Sequence, residues 1–121
     1  MYLSKPFKDE FRLCDRYNEA VMTLLQFPDK VPIICERPLS APPDCPIISK
    51  RKYVVPRHFT MGQFLFCIRK QLNLPPEKAL FLFVHNKLIS STELIHNVYE
   101  RYKDNEDCFL YMFYSLENTF G

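Results

Sequence analysis

A single glycine, Gly62, lies inside this 121-residue chain; the only other one, Gly121, is its last residue, whereas prolines number ten. Glycine supplies positive φ and close backbone approach, and proline fixes φ, so the loops of this chain are stiff. The same scarcity excludes whole function classes. Walker A and dinucleotide loops need several glycines so that backbone N–H groups can approach phosphate. Gly121 poses the opposite problem, since a terminal residue needs neither property. It reads either as the point where the sequence stops or as a site of chemistry at the carboxyl end.

A chain of this length buries one core, so one domain is expected. Hydrophobic residues at 47%, aromatics at 15% and charges at 25% place it among folded globular proteins rather than disordered ones. The first thirty residues hold no secretory h-region, and Tyr2 excludes N-myristoylation. The longest apolar run, CFLYMFY at 108–114, is far short of the roughly 20 residues a membrane helix needs. The expectation is a chain that stays inside the cell and meets membranes only through modification or a partner. Cys14, Cys35, Cys45, Cys67 and Cys108 are odd in number and too widely spaced for a C-x-x-C site, so they read as small buried residues in a reducing compartment. Charge is uneven. Lys50, Arg51, Lys52, Arg57, Arg69 and Lys70 fall in a stretch without acids, and six acids against two bases fall between Glu93 and Glu117.

Periodicity predicts a short helical turn capped by Ser4, then a helix over 11–26 with Leu13, Tyr17, Val21, Leu24 and Leu25 at helical spacing. KVPIIC at 30–35 is apolar on both alternating sets and reads as a strand covered on two faces. The segment 37–49 is a proline-stiffened loop. KYVV at 52–55 follows as a strand whose closing Pro56 points to a sheet edge. Thr60 with Gln63 makes a capping box for a helix over 61–72, with Met61, Phe64, Leu65, Ile68 and Leu72 as its apolar stripe. ALFLFV at 79–84 is a buried strand and Leu88 with Ile89 a brief return strand. Ser90 with Glu93 repeats the capping-box pattern before a helix carrying Leu94, Ile95, Val98, Tyr99 and Tyr102. The last strand, apolar on both faces, belongs at the centre. The order gives an α+β fold of the β-grasp kind, a mixed four-stranded sheet with a crossover helix, preceded by two extra helices. The expected divisions are 1–27 for the helical extension, 28–114 for the β-grasp domain and 115–121 for a flexible tail.

No residue set suggests catalysis. His58, His85 and His96 stand apart from one another and from any cysteine at a recognisable spacing, so neither a metal set nor a nucleophile and base is indicated, and no cofactor is expected. The chain reads as a protein that is acted upon, not an enzyme. The basic stretch with Tyr53, Phe59, Phe64 and Phe66 has the composition of a nucleic-acid groove. Set against a core with a solvated charged face, that reading is the weaker, and no nucleic acid is expected. An edge strand beside cations suits an extended acidic peptide added by β-augmentation, with Lys50, Arg51 and Lys52 meeting its acids. Two buried anchors at ~2 to 3 kcal/mol each, less the association entropy, correspond to roughly micromolar affinity.

The segments KVPIICE, KRKYVVP, TMGQFLFCIRK, LPPEKALFLFV and ENTFG together closely resemble the autophagy-related protein 8 family, the GABARAP and light-chain-3 group of ubiquitin-like modifiers. The likeness runs from about Phe7 to Gly121. It implies that Gly121 is activated by an E1-like enzyme, passed to an E2-like conjugating enzyme and joined to phosphatidylethanolamine in membranes. It also implies a processing and delipidating cysteine protease, receptors bearing an aromatic-x-x-aliphatic motif, and a place in the cytoplasm and on autophagosomal or related membranes. By resemblance the aromatic pocket takes Glu19, Pro32, Ile34, Lys52, Val54 and Phe109, and the aliphatic pocket Tyr53, Val54, Phe59, Phe64 and Cys67. Ordinary core packing also suits the apolar members, Phe64 and Ile34 above all. Arg69 matches the protease-docking position, and Phe81 and Phe83 a second docking surface for helical motifs. Three departures bear on function: Leu116 where the family has glycine, Thr23 in place of an aliphatic residue, and a longer, proline-rich loop at 37–43. With no residues after Gly121, the chain reads as either encoded in its mature form or cut short. A second reading is an adaptor of the same fold that binds peptides without being conjugated, with an organelle or trafficking role.

Overall fold

Residues apolar on both alternating sets have to be covered twice, and the sheet meets that demand by packing helices on each side. The protein is described by a computed structural model over residues 5–118; Ser4 with its expected cap, and Gly121, lie outside the described residues. Two helices, α1 (Phe7–Glu10) and α2 (Leu13–Gln26), precede the strands β1 (Lys30–Glu36) and β2 (Lys52–Pro56). Helix α3 (Met61–Leu72) is followed by β3 (Phe81–Val84), β4 (Lys87–Leu88), α4 (Ile95–Tyr102) and β5 (Leu110–Ser115). The sheet order is β2-β1-β5-β3-β4. Its pairs are antiparallel except β1 with β5, which run parallel with Ile33 opposite Leu110. The sheet has five strands rather than four, because the return strand pairs Lys87 with Val84 and Leu88 with Phe83 and so closes the far edge.

Alternation divides β1 between two cores. Val31, Ile33 and Cys35 join Leu110, Met112 and Tyr114 of β5 under α3 and α4, where Phe64, Ile68, Ile95 and Val98 meet them. Ile34 turns the other way, to Phe7, Ala20 and Phe109 beneath α1 and α2. Pro32 has no N–H to offer. Cys35 N donates to Arg51 O (2.8 Å), so the odd residues of β1 direct their N–H groups to β2 and Pro32 nitrogen faces the β5 side, one residue before pairing there begins.

The glycine-poor sequence solves its turns locally. Helix α3 has the expected capping box, Gln63 N donating to Thr60 Oγ1 (3.2 Å) and Thr60 N to Gln63 Oε1 (2.8 Å). It ends at Asn73, which takes the left-handed conformation at φ 55°. His85 (φ 51°) and Asn86 (φ 62°) supply the two left-handed residues of the β3–β4 hairpin. Gly62 is required by proximity: a Cβ there would stand 3.2 Å from Ser91 O, the carbonyl that accepts from Gly62 N. The second expected capping box does not form. Helix α4 starts from Leu94 without a side-chain cap, because the 90–93 backbone is drawn into the first turn of α3, Met61 N donating to Glu93 O (2.8 Å).

The amino-terminal helices are held by charge as well as by Phe7. Arg16 donates from Nε to Asp107 Oδ2 (2.9 Å) and from Nη1 to the carbonyls of Phe11 (2.6 Å) and Lys8 (3.1 Å). Asp107 is fully buried and also accepts from Tyr111 Oη (2.5 Å) and Phe109 N (2.9 Å). Burial alone would lower the Arg16 pKa, but the hydrogen bond and charge of Asp107 raise it instead. Among the described residues, no helix is long and apolar enough to cross a membrane.

Candidate functional site

Strand β2 lies at the edge of the sheet, bonded to β1 on one side. Its period of two sorts its side chains. Tyr53 and Val55 enter the main core, while Lys52 and Val54 emerge on the α2 side. Opposite them in register stand Ile34 and Pro32, pairing Ile34 with Lys52 and Pro32 with Val54. The structure therefore brings Pro32, Ile34, Lys52 and Val54 onto one face, with Glu19 of α2 ion-paired to Lys52 across the gap. Val54 is 44% exposed, whereas Ile34 and Phe109 are closed over by Phe7 and Ala20 and form a floor.

The second expected pocket falls on the other side of β2. The Tyr53 ring packs edge-on against Phe64 with centroids 5.4 Å apart, and its hydroxyl donates to Lys50 O (2.6 Å). Both rings are buried, which drives the Tyr53 pKa upward, first through desolvation. Phe59 and Cys67 are half-buried beside this side of the core. Val54 belongs to the α2 side, so the two halves meet at the β2 edge rather than sharing one wall.

The three flanking cations differ in what they touch. Arg51 is committed to Glu10 and Glu36 and donates to Lys5 O (2.7 Å), which ties α1 to the sheet. Lys50 rests over the Tyr53 ring, 5.0 Å from its centroid, and Lys52 holds Glu19. Arg57 pairs with Glu100 (3.6 Å), so basic and acidic stretches far apart in sequence meet in the fold. Arg69 donates to Lys78 O (2.7 Å) and Pro75 O (3.4 Å), bracing the loop that leaves α3. Phe83 is buried and Phe81 half-buried; Phe81 lines a cleft of about 440 Å³ with Leu65, Leu88 and Ile89.

Phe66 entered the sequence reading only as one aromatic of the weaker nucleic-acid alternative. It is 57% exposed, with Lys70 Nζ 4.6 Å from its ring. Its place off the apolar stripe of α3 was the available signal. Of the aromatics that suggested a nucleic-acid groove, Tyr53 and Phe64 are core, so no stacking row results. Leu116 is partly buried against the main core.

A family model described as "Autophagy protein Atg8 ubiquitin like" matches residues 15–121. Autophagy-related protein 8 of Candida albicans is 50% identical over 115 residues, covering 95% of this chain and 83% of that protein. Autophagy-related protein 8D of Oryza sativa subsp. japonica is 44% identical over 117 residues, covering 97% and 98%. A crystal structure of Trypanosoma brucei ATG8 matches with a TM-score of 0.86 at 34% identity, covering 98% of this chain and all of that one (100%).

Proposed function

Because the chain belongs to the Atg8 family of ubiquitin-like autophagy proteins, we propose that it is a modifier joined through Gly121 to phosphatidylethanolamine, and that it recruits motif-bearing receptors to autophagic membranes. The carboxylate of Gly121 attacks the α-phosphorus of ATP and releases pyrophosphate. A thiol of the E1-like enzyme then displaces AMP, a thiol of the E2-like enzyme takes over the acyl group, and the lipid amine attacks the thioester carbonyl and releases that thiol. Glycine suits each step, since an acyl carbon with no neighbouring Cβ is open to attack. Two acyl chains then give stable anchoring, where one would be marginal. The chain itself is acted upon and supplies no catalytic group.

The observation that carries the recruiting half is the outer edge of β2, with Val54 exposed beside Lys52 on one face and Tyr53, Phe64 and Cys67 on the other. An extended peptide adds its backbone to that edge. Its aromatic anchor goes to the α2 side, over Pro32, Ile34 and Phe109, once the Lys52–Glu19 pair parts. Its aliphatic anchor goes to the α3 side, at Phe59, Phe64 and Cys67, and its acids meet Lys50 and Lys52. The working division is 1–27 as cover, 28–114 as body and 115–121 as tail. Arg69 is proposed for the processing protease, and Phe81 with Phe83 for helical motifs.

Incubation with the family's activating and conjugating enzymes, ATP and phosphatidylethanolamine liposomes tests the first half. Intact-mass analysis is expected to show the lipid adduct on the wild type, and Gly121→Ala to suppress it. No adduct, with an authentic relative reacting alongside, overturns the conjugation. Lys52→Glu is expected to weaken binding of an acidic motif peptide about tenfold, reversing a contact charge; an unchanged affinity displaces the groove. Leu116 favours the second reading, a peptide-binding adaptor that is not conjugated, because its packing on the core restrains the start of the tail. Motif binding with no adduct decides for it.

A further inference from the structure

A cleft of about 330 Å³ opens beyond the start of β2, where α1, the end of β1 and the loop after it converge. Its apolar wall is Leu39, Ile47, Ile48 and Phe113, with Leu39 73% and Ile47 46% exposed. The charges around it are unequal. Glu36 is already engaged by Arg51 and by Phe7 N–H (2.7 Å). Lys5 and Arg37 also line the cleft, and neither has a carboxylate within ion-pair distance among the described residues. Arg37 donates to the carbonyl of Pro42 (2.9 Å) and lies against the Cys45 thiol, and its Nε is buried with no hydrogen-bond partner. An apolar hollow flanked by two cations without a carboxylate partner, Lys5 and Arg37, suits an apolar side chain carried among acids.

The cleft is continuous with the proposed groove through Arg51, which lines it and directly precedes β2. We propose that the cleft takes a large aliphatic side chain from the acidic segment preceding the aromatic anchor of a receptor, three or four residues upstream. At about 3.3 Å per extended residue, that spacing places the side chain ~10 to 13 Å ahead of the aromatic anchor, on the side of β2 where Arg51 leads to the cleft. The loop after β1 builds one wall through Arg37, Pro38, Leu39 and Ser40. The proposal rests on the groove reading for its register, and the test separates the two.

The probes are an acetylated, amidated peptide Asp-Leu-Asp-Glu-Asp-Trp-Glu-Glu-Leu and the same peptide with Ser replacing the first Leu. The Leu form is expected to bind wild type about tenfold more tightly than the Ser form, a share of one buried leucine. Leu39→Asn and Ile47→Asn, both at exposed positions, are expected to erase that advantage and leave the Ser form unchanged. Equal affinity of the two peptides for wild type, or an advantage that survives both substitutions, overturns the cleft and leaves the groove standing. The flank alone, Asp-Leu-Asp-Glu-Asp, is titrated into methyl-labelled protein, where shifts at Ile47 and Ile48 are expected. Those shifts, with an anchored Leu peptide that binds no more tightly than the flank alone, keep the cleft and overturn the groove. No shifts with the flank, or shifts produced instead by anionic phospholipid vesicles or by raising the protein concentration, overturn the cleft.

Discussion

Toward α3 and α4 the sheet buries a continuous apolar cluster running from Val31 and Ile33 through Phe64, Ile68 and Val98 to Met112 and Tyr114. Toward α1 and α2 the fully buried apolar set shrinks to Phe7, Ala20, Ile34 and Phe109. Charge makes up the remainder there: Arg16 with Asp107, Lys8 with Asp104, Arg51 with Glu10 and Glu36, and Lys52 with Glu19. Apolar burial depends little on pH or salt, whereas ion pairs weaken with both. The α1–α2 side is therefore the face that changing conditions loosen first. It is also the face that roofs one half of the proposed peptide groove.

The most severe test of that contrast is Phe64→Ala, which opens a cavity in the main cluster and is expected to cost about 3 to 5 kcal/mol. Urea unfolding followed by circular dichroism should show both faces lost in one transition; a cost below about 1 kcal/mol would mean that the main cluster does not dominate. Next, Asp107→Asn leaves the Arg16 guanidinium buried without a counter-charge, at about 3 kcal/mol. Hydrogen exchange should then accelerate in α2 more than in α3, and the reverse order would misplace the ion pair's role. Phe7→Ala removes the apolar anchor of a four-residue helix. Because α1 can detach by itself, the global loss should stop at about 1 to 2 kcal/mol, less than a core Phe→Ala change usually costs. A loss equal to that of Phe64→Ala would erase the contrast.

The smallest effect is read from pH. Burial pushes the Asp104 carboxyl up, but hydrogen bonds from Lys8 and from the N–H groups of Glu106 and Asp107 outweigh it and hold the group below 3.8. A depressed acid stabilises the fold above its unfolded value, and that contribution is lost as pH falls through the folded one. Glu36 has the opposite sign. Burial raises it above 4.5 against the pull of Phe7 N–H, so its contribution grows as pH falls through the raised value. As pH falls below the ordinary carboxylate value the wild type should therefore lose Asp104 support, and Asp104→Asn should flatten part of the decline in urea midpoint. An identical decline in the variant would remove Asp104 from the account.

Two capping boxes of the same type show where sequence reading holds and where it stops. Thr60 and Gln63 form theirs because every group involved lies within one turn. Ser90 and Glu93 carry the same pattern, yet the carbonyls of Glu93 and Ser91 accept from Met61 N and Gly62 N far upstream in the chain, and the box is abandoned. The site divides in the same way. That Lys52 and Val54 share a face with Pro32 and Ile34 follows from alternation once β1 and β2 are paired. That Val54 stays exposed while Ile34 is sealed follows from where Phe7 and Ala20 land. The cleft beside Ile47 had no periodic signal at all, because its walls come from the loop after β1, the residues ahead of α1, and single positions on β1 and β5.

By itself the sequence determined the order of helices and strands, the central place of the last strand, the free edge of β2 and the family, since these rest on local periodicity, capping and motif order. The tertiary structure alone decided which of Lys50, Arg51 and Lys52 keeps its charge available and which is matched by an acid brought in from elsewhere in the chain. The reason is physical. Alternation and helical spacing are properties of neighbours along the chain, while an ion pair or a cleft depends on distances in space that only the packed helices and loops set.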